Sequence, residues 1–263
     1  MSVIHVAIHG AAGRMGRRLI ALGAADPQLH IAAALESPDH PQLGEDAGLV
    51  AGIRALGIPL RSGLEAAVDV VIDFSVPQAV LGILQVCLQR KLPLVEATTG
   101  LKPEQTAQLL AAAQHVPVLW SPNMSLAVNL TMKLAELAAR ALANKDADVE
   151  ILERHHRFKE DAPSGTALKF GQIIAGIMGQ TAQRHGREGR PGARPHGEIG
   201  YHAIRVGDNP GEHTIVFGML GETIELTVRA TSRDCYAQGA LAAAKFLVGK
   251  PPGLYAMSDV LGL

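Results

Sequence analysis

Cysteine and aromatic residues are scarce in this sequence of 263 residues. Its two cysteines, Cys87 and Cys235, stand far apart and form no C-x-x-C pair, so a disulfide framework is not expected. Reduced thiols, and therefore a cytoplasmic protein, are the simpler interpretation. Aromatic residues make up only 3%, while Ala, Gly, Leu and Val dominate, a composition that favours helices packed closely on a parallel sheet.

Excess charge and long apolar segments are also lacking. The 24 basic residues nearly balance the 25 acidic ones, so no overall field draws the protein to nucleic acid or to a membrane, and neither is an expected partner. No apolar run approaches the roughly 18 residues that a membrane-spanning helix needs. The segment that begins with Met1 and Ser2 has no basic region and no cleavage site, so we expect no signal peptide.

Apolar residues make up 48% of the sequence, enough for a buried core, and in the first half they alternate between short strands and helices. The predicted strands cover 3–9, 30–35, 68–74, 94–97 and 116–120, and the helices cover 15–24, 77–89 and 103–114. This alternation indicates βαβ units and a parallel sheet. We therefore expect an α/β fold with a Rossmann-like dinucleotide-binding domain over 1–123, completed by 234–263.

The pattern changes after Pro122. The elements predicted there are a helix over 126–142, a strand over 149–154, a helix over 167–178, an exposed basic loop over 180–197, strands over 199–206, 212–220 and 222–230, and a last helix over 235–248. We expect an α+β domain over 124–233 with a mostly antiparallel sheet; that this domain binds substrate and forms the oligomer is implied only by the family resemblance given below.

A glycine-rich loop joins the first predicted strand to the first helix. Residues 10–16 read Gly-Ala-Ala-Gly-Arg-Met-Gly, which places Gly10, Gly13 and Gly16 three residues apart. Without Cβ atoms the backbone can turn tightly and approach a pyrophosphate at the helix N-terminus. Glu36 ends the second strand, where a carboxylate meets the adenosine ribose hydroxyls. A plain tight turn is the alternative, and this context favours dinucleotide binding over it.

Three further loops follow predicted strands, at the ends where open α/β sheets bind ligands. They are Asp73-Phe74-Ser75, Ala97-Thr98-Thr99-Gly100 and Ser121-Pro122-Asn123-Met124. Each alone is compatible with an ordinary surface loop. Because all three fall on one edge of the sheet, we interpret the group as cofactor contacts.

The most informative segment covers residues 153–166, which read Glu-Arg-His-His-Arg-Phe-Lys-Glu-Asp-Ala-Pro-Ser-Gly-Thr. Two histidines and Lys159 follow a strand, and Pro-Ser-Gly-Thr then opens a helix whose free N–H groups suit a carboxylate. Imidazole and ammonium groups beside that helix give a cationic pocket with a proton donor near neutral pH. A solvated basic loop would explain either histidine alone, whereas the whole cluster indicates an active site.

This segment resembles the signature E-x-H-H-x-x-K-x-D-x-P-S-G-T-A of the 4-hydroxy-tetrahydrodipicolinate reductase family, also called dihydrodipicolinate reductase, which residues 153–167 match throughout. The glycine loop is similar to the family's G-x-x-G-R-M-G, and residues 73–77 are similar to its D-F-[ST]-x-P. Residues 122–125, 205–214 and 231–233 also fit the family's pattern. The resemblance covers essentially the whole chain.

The resemblance implies a reaction, an assembly and a set of roles. A homotetramer would use NADH or NADPH to reduce a cyclic dicarboxylate, 4-hydroxy-tetrahydrodipicolinate, to tetrahydrodipicolinate on the route to diaminopimelate and lysine, with no metal. The catalytic positions are His155, the proton donor, and Lys159, the second cation; the substrate-binding positions are His156, Ser164, Gly165 and Thr166. The cofactor-binding positions are Gly10, Ala11, Ala12, Gly13, Arg14, Met15, Glu36, Ala97, Thr98, Thr99, Ser121, Pro122, Asn123, Met124 and Arg233.

Three positions, Ala97, Ala127 and Ser37, bear on how the cofactor binds. Ala97, preceded by an unexpected Glu96, stands where glycine is usual, and Ala127 replaces another glycine, which affects the fit of the cofactor. Glu36 is followed by Ser37, whereas members that use NADPH well often have Arg there. We therefore predict that NADH binds at least as tightly as NADPH.

Two other functions remain as alternatives. Another two-domain NAD(P)-dependent dehydrogenase, of the aspartate or homoserine type, would share the glycine loop but lack the His-His-x-x-Lys and Pro-Ser-Gly-Thr pair. A non-catalytic dinucleotide-binding protein would be expected to have lost its proton donor, and here both His155 and Lys159 are present.

Overall fold

The computed structural model describes residues 3–263, so Met1 and Ser2, which contribute to the signal-peptide expectation, lie outside the described residues. The strands are β1 Ile4–His9, β2 Leu29–Leu35, β3 Leu60–Arg61, β4 Val70–Asp73, β5 Leu94–Glu96, β6 Pro117–Trp120, β7 Asp148–His155, β8 Ala182–His185, β9 Glu198–Arg205, β10 Gly211–Met219, β11 Glu222–Ala230 and β12 Gly253–Tyr255. The helices are α1 Arg14–Ala25, α2 Ala47–Val50, α3 Pro77–Arg90, α4 Pro103–Ala112, α5 Leu126–Leu142, α6 Gly165–Met178, α7 Asp234–Leu247 and α8 Met257–Val260.

These elements form two compact units. Unit 1 extends to Leu126 and resumes over Arg233–Leu263, and unit 2 covers Ala127–Ser232. Over the described residues, no helix combines the length and the apolar character needed to cross a bilayer.

Unit 1 is built on a parallel sheet with the strand order β12-β6-β5-β4-β1-β2-β3, which confirms the predicted Rossmann-like arrangement. Its strands are apolar runs because both faces are covered, and β4 is buried at every position. Helices α1 and α7 pack on one face, while α3 and α4 pack on the other. The strand order reverses between β1 and β4, and open α/β sheets bind ligands at the carboxyl ends of strands beside such a reversal.

Unit 2 contains a sheet with the strand order β11-β10-β7-β9-β8, and this sheet is mixed, so the prediction of a mostly antiparallel sheet is wrong in that detail. Strand β10 pairs antiparallel with β11 and β7, whereas β9 pairs parallel with both β7 and β8. The parallel pairing follows from α6, because a helical crossover lets the chain re-enter the sheet in its original direction.

Short or polar elements account for the other differences. The predicted exposed loop over 180–197 contains β8, whose four residues are all exposed, so it has no alternation of apolar residues from which a strand could be predicted. Strands β3 and β12, two and three residues long, were also missed. Elements this short carry no measurable periodicity.

Helix α7 approaches the loop after β6 more closely than a side chain would allow. A Cβ atom at Gly239 would overlap the carbonyl oxygen of Met124. Met124 itself is only 1% exposed and belongs to the core beneath α1 and α7. This close packing fixes the end of β6, where cofactor contacts are predicted.

Candidate active site

The glycine loop lies at the carboxyl end of β1 in unit 1. Gly10 has a φ of 75°, which favours glycine, and the N–H groups of Gly10 and Ala11 both donate to the Leu35 carbonyl at 3.0 Å. A Cβ atom at Gly16 would overlap the Gly10 carbonyl oxygen, so α1 begins directly against the loop. Gly13 is the N-cap residue of α1 and offers no side chain to its first N–H groups, which suit an anion.

Glu36 follows β2 and reaches the glycine loop. Its Oε2 accepts the Ala12 N–H at 2.9 Å, and its Oε1 accepts the Ser37 N–H at 3.1 Å. Arg17 has protein partners of its own, because it donates to the Ala12 carbonyl at 2.7 Å and to Gln42 Oε1 at 3.2 Å. A carboxylate therefore lies beside the loop, and within residues 3–263 no arginine is bonded to it.

The segment after β5 is held by two strand ends. The N–H of Ala97 donates to the Asp73 carbonyl at 3.0 Å, and the N–H of Thr98 donates to Glu96 Oε1 at 2.7 Å. Ala97 and Thr98 are buried, whereas Thr99 is exposed. The exposed Thr99 thus follows two residues whose backbone N–H groups are held by the ends of β4 and β5.

The loop after β6 is stabilised by its own side chains. Ser121 Oγ donates to the Asn123 carbonyl at 2.8 Å, and the Asn123 side-chain oxygen accepts the backbone N–H two residues further on at 3.0 Å. Pro122 is exposed between them, and Met124 closes the loop from below as a buried side chain. Such a loop presents backbone groups in a fixed arrangement.

Three of the predicted cofactor residues lie at helix starts in unit 1. Arg14 is exposed and Met15 half-buried in the first turn of α1, and Arg233 is the exposed N-cap residue of α7. Arg18 joins the two helices by donating to both oxygens of Asp234 at 2.6 and 2.8 Å. This ion pair holds the N-terminal turn of α7, and with it Arg233, beside α1.

In unit 2, β7 ends at His155 and α6 begins at Gly165. Ser164 is the N-cap residue, and its Oγ accepts the Ala167 N–H at 3.2 Å. A Cβ atom at Gly165 would meet no atom within 4 Å, and Thr166 is half-buried in the first turn. Open space therefore adjoins a helix N-terminus, whose N–H groups and dipole favour an anion.

The Glu153 carboxylate is the centre of a buried network in unit 2. Arg205 donates to both of its oxygens at 2.7 Å, and the Ser164 N–H donates to its Oε1 at 3.0 Å. Nδ1 of His155 lies 2.5 Å from its Oε2. Burial raises the pKa of Glu153, but the hydrogen bonds from His155 and Arg205 outweigh burial and lower the pKa to about 2. The carboxylate is therefore ionised and fixes the orientation of the His155 ring.

His213 is packed edge-on against His155, with 5.2 Å between the ring centroids. Burial, with repulsion from His155, lowers the pKa of His213 to about 4, so this ring is neutral at pH 7. Its Nε2 lies 3.1 Å from Ser164 Oγ, and a neutral Nε2 can accept the hydroxyl proton. His213 therefore fixes the serine that caps α6.

Lys159 lies at the exposed side of this network. Its Nζ pairs with Asp161 Oδ1 at 2.7 Å, and its backbone N–H donates to the His156 carbonyl at 3.1 Å. The charge of Lys159 contributes to the lowered pKa of His213, so the two groups are within electrostatic reach. The half-buried His156 ring packs 6.3 Å from the ring of Phe158, which is 79% exposed.

Sequence reasoning assigned no role to Glu153, Arg205 or His213. Glu153 and His155 are two residues apart on one strand, so their side chains share a face, and this spacing could have paired them. Arg205 lies opposite His155 on β9, and His213 lies opposite Glu153 on β10. Those two contacts depend on strand register, for which the sequence carries no local signal.

Fold and site together define a class of protein. A parallel sheet with this strand order, a glycine loop after its first strand and a carboxylate after its second is the arrangement of dinucleotide-binding oxidoreductases. The second unit adds an imidazole held by a carboxylate beside a capped helix start. The chain is therefore a two-domain oxidoreductase of the Rossmann type.

Comparison with known proteins gives the family. The family described as dihydrodipicolinate reductase, N-terminus, matches residues 4–124, and dihydrodipicolinate reductase, C-terminus, matches residues 127–261. The chain belongs to the dihydrodipicolinate reductase family, which confirms the resemblance found in the sequence.

Individual relatives agree with this assignment. The chain is 58% identical to the 4-hydroxy-tetrahydrodipicolinate reductase of Rhodopirellula baltica, over 99% of this chain and 96% of that protein. It is 50% identical to the enzyme of the same name from Alkalilimnicola ehrlichii, over 98% of each. The dipicolinate-bound dihydrodipicolinate reductase from Paenisporosarcina sp. TG-14 is 29% identical, with a TM-score of 0.78 over 97% of both chains.

We predict that Glu153→Gln lowers the free energy of unfolding by about 3 kcal/mol at neutral pH, because it breaks a two-bond ion pair at a buried position and leaves the half-buried Arg205 without its counter-charge. The folded pKa of about 2 lies below the unfolded value of about 4.3, so the carboxylate contributes stability above the unfolded value and loses it as pH falls towards 2. The deficit of the variant should therefore shrink below about pH 4.3.

Urea unfolding across this pH range measures the effect. Glu225→Gln, which makes the same change at an exposed position on β11, is the matched control and should leave stability within about 0.5 kcal/mol of wild type. A deficit that stayed constant down to pH 2 would contradict the ionised state of Glu153.

Proposed function

We propose that this chain uses NAD(P)H to reduce 4-hydroxy-tetrahydrodipicolinate to tetrahydrodipicolinate, a step towards diaminopimelate and lysine. The observation that carries the proposal is the buried Glu153 carboxylate, which holds the His155 ring and the start of α6 together. Reduction of a ring that bears two carboxylates needs both a proton donor and a site for a carboxylate. The relatives named above support this substrate by their names, and the dipicolinate bound to one of them is a cyclic dicarboxylate.

The residues of unit 1 fit a nicotinamide dinucleotide. The glycine loop is a cradle that a Cβ atom at Gly10 or Gly16 would fill, and the uncapped start of α1 suits a pyrophosphate. The Glu36 carboxylate suits the ribose hydroxyls as an acceptor. The further proposed contacts are Ala11, Ala12, Gly13, Arg14, Met15, Ala97, Thr98, Thr99, Ser121, Pro122, Asn123, Met124 and Arg233. When bound, the cofactor supplies the hydride.

The proposed substrate-binding residues lie at the start of α6. The backbone N–H groups of Gly165 and Thr166 would bind one substrate carboxylate, with the Ser164 cap holding the turn in shape. The space over Gly165 admits the ligand, because a Cβ atom there would meet no protein atom within 4 Å. His156 is the fourth proposed contact and lies in the segment just before this turn.

His155 is the proposed proton donor. Because Nδ1 pairs with the Glu153 carboxylate, Nε2 is the ring nitrogen left for a ligand, and the imidazolium form donates its Nε2 proton there. Loss of the 4-hydroxyl group as water first gives a conjugated ring imine. Hydride addition at C4 then moves an electron pair towards the ring nitrogen, and the proton from His155 completes the reduction, leaving oxidised cofactor and water as the other products. The Lys159 ammonium would stabilise the negative charge that develops before the proton arrives.

A homotetramer assembled through unit 2 belongs to the same proposal. Helix α5 exposes Leu130, Leu134 and Leu137. Strand β11 lies at the edge of the sheet with Ile224 exposed, and Leu220 is exposed in the turn that leads into it. An apolar helix stripe and an open sheet edge are surfaces that oligomers cover.

The proposed reaction is tested by following NADH and NADPH oxidation with the substrate made in situ by the enzyme that precedes it. His155→Ala and Lys159→Ala should each lower kcat by about 10²-fold or more, because each removes a group that acts on the developing charge. The cofactor dissociation constant should stay within about twofold, since both residues lie in unit 2.

His196→Ala is the matched control, because this histidine is exposed in the segment between α6 and β9. It should leave kcat unchanged. Substrate-dependent oxidation that is missing in the wild type, or undiminished in both active-site variants, would contradict the proposal.

The helix start gives a second prediction. Gly165→Ala should weaken binding of pyridine-2,6-dicarboxylate by about tenfold or more, because the added methyl enters the space reserved for the ligand without meeting protein. Gly176→Ala is the control in the same helix, where a Cβ atom also meets nothing within 4 Å. Both variants should fold, with Gly176→Ala gaining up to about 1 kcal/mol from helix propensity. Calorimetry that finds equal ligand affinity in the two variants would place the carboxylate elsewhere.

We also propose that NADH binds at least as tightly as NADPH. A 2′-phosphate beside Glu36 would meet like charge unless a cation lies close. Arg17 is bonded to Ala12 and Gln42, and Arg61, whose carbonyl accepts the Glu36 N–H, pairs with Glu65 at 3.5 Å. Ser37 brings a hydroxyl but no charge.

Ser37→Arg should therefore move the preference towards NADPH by tenfold or more, since one charge-assisted hydrogen bond contributes about 1.5–3 kcal/mol. Ser37→Gln adds length and hydrogen-bonding capacity without charge, and it should leave the ratio of the two dissociation constants nearly unchanged. Calorimetric titration of both cofactors decides the point: a wild-type protein that strongly prefers NADPH would overturn this proposal.

A further inference from the structure

Two carboxyl groups face each other inside unit 1. Asp73 and Glu96 end the neighbouring parallel strands β4 and β5, and they are direct partners in the register. Partners on adjacent strands point to the same face of a sheet, here the face covered by α3 and α4. Both side chains are 0% exposed. Two ionised carboxylates buried side by side would repel each other in a medium that cannot screen them.

One oxygen of each carboxyl group is bonded and the other is not. Asp73 Oδ1 lies 2.9 Å from His9 Nδ1 and accepts the Ser75 N–H at 2.9 Å, while Glu96 Oε1 accepts the Thr98 N–H at 2.7 Å. Among the described residues, Asp73 Oδ2 and Glu96 Oε2 have no hydrogen-bond donor. A single proton between the two carboxyl groups would satisfy both oxygens and remove the repulsion.

The surrounding charges favour such a proton. Burial, together with the charge of Asp73, raises the pKa of Glu96 to about 9, although the hydrogen bond from the Thr98 N–H opposes the rise. From α3, burial and both carboxyl groups raise the pKa of the Cys87 thiol, which stays neutral. The charge of Arg90, also on α3, acts on Cys87 in the opposite direction, and its guanidinium donates to the carbonyls of Leu64 and Ala66 at the surface. The imidazole of His9 on β1 engages Asp73 alone.

The pair also holds the backbone of three loops at this edge. The carbonyl of Asp73 accepts the Ala97 N–H at 3.0 Å, and the carbonyl of Glu96 accepts the Ser121 N–H at 3.0 Å. The side chains accept the N–H groups of Ser75 and Thr98. Displacement of either carboxyl group would therefore release the N–H of Ser75 after β4 or the N–H of Thr98 after β5.

We propose that Glu96 is a positioning residue that shares a proton with Asp73 and thereby holds the Ala97–Thr99 segment in the conformation that binds the cofactor. The inference rests on the proposed role of this segment in NAD(P)H binding. Ionisation of Glu96 places a second charge inside unit 1. The Ala97–Thr99 segment then loses its fixed conformation, and the cofactor loses its binding site. Glu96 touches no reacting group in this account and acts through the segment alone.

Cofactor affinity across alkaline pH tests the proposal. Glu96→Gln keeps a donor towards Asp73 but cannot ionise, and Glu104→Gln makes the same change at an exposed position on α4. Between about pH 7 and about pH 10, NADH affinity of the wild type and of Glu104→Gln should fall about tenfold. The reason is that only about a tenth of the protein keeps the Glu96 proton at about pH 10, and only that fraction binds NADH well. Glu96→Gln should match the wild type within about twofold at pH 7 and remain level. Parallel decline in all three proteins, or no decline in the wild type, would overturn the proposal.

The wild type alone gives a second readout. The folded pKa of Glu96 lies above its unfolded value of about 4.3, so its contribution to stability is fully present below that value and is lost as pH rises through about 9. The unfolding equilibrium constant of the wild type, relative to Glu96→Gln, should therefore rise with pH in this window by up to about tenfold per unit. A ratio that does not change with pH would count against a buried shared proton.

Infrared spectroscopy separates this inference from the cofactor assignment. Near neutral pH the wild type should show the carbonyl stretch of a protonated carboxyl group, and Glu96→Gln should lack it. Absence of that band in the wild type would overturn the shared proton. If the band is present but NADH fails to bind at any pH, the cofactor assignment fails while the shared proton stands.

Discussion

A carboxylate buried in a protein must be paired with cations or carry a proton, and both units of this protein are organised around that constraint. In unit 2, Glu153 remains ionised because Arg205 bonds both of its oxygens and the Ser164 N–H bonds one of them. Since an unpaired charge there would cost several kcal/mol, β9 and the start of α6 are fixed relative to β7. The same carboxylate orients His155, so the packing of the unit and the geometry of the proposed proton donor depend on one interaction.

Unit 1 meets the constraint by the other route. Among the described residues, His9 contacts Asp73 Oδ1, and no group donates to Asp73 Oδ2 or Glu96 Oε2, so in the account proposed above a shared proton makes the burial of these two oxygens tolerable. The difference has a functional consequence. The ionised Glu153 carboxylate keeps its hydrogen bonds over the whole neutral and alkaline pH range. A proton shared with Glu96, in contrast, makes the conformation of the Ala97–Thr99 segment depend on pH.

Local signals in the sequence were sufficient for much of this architecture. Apolar runs between helices predicted β1, β2, β4, β5 and β6 of the parallel sheet, since strands buried on both faces need no alternation. The glycine spacing predicted the tight turn at Gly10. Pro-Ser-Gly-Thr predicted a helix start capped by Ser or Thr, and the structure has Ser164 as the cap. The family resemblance rested on contiguous motifs and was confirmed by comparison. Each of these features is encoded within about ten residues of chain, so each could be found without knowing which strands pair.

What the sequence could not supply is register, and the misjudged direction of one strand explains why Arg205 was missed. Arg205 reaches Glu153 because β9 runs parallel to β7 and places Arg205 opposite His155. In an antiparallel pairing of these strands, as the predicted sheet favoured, the carboxyl end of β9 would lie at the far end of β7 from His155, and Arg205 could not meet the carboxylate. A slip of one residue would turn its side chain to the opposite face. The direction of β9 and the partner of Glu153 are therefore a single unknown, which only the pairing of strands distant in sequence resolves.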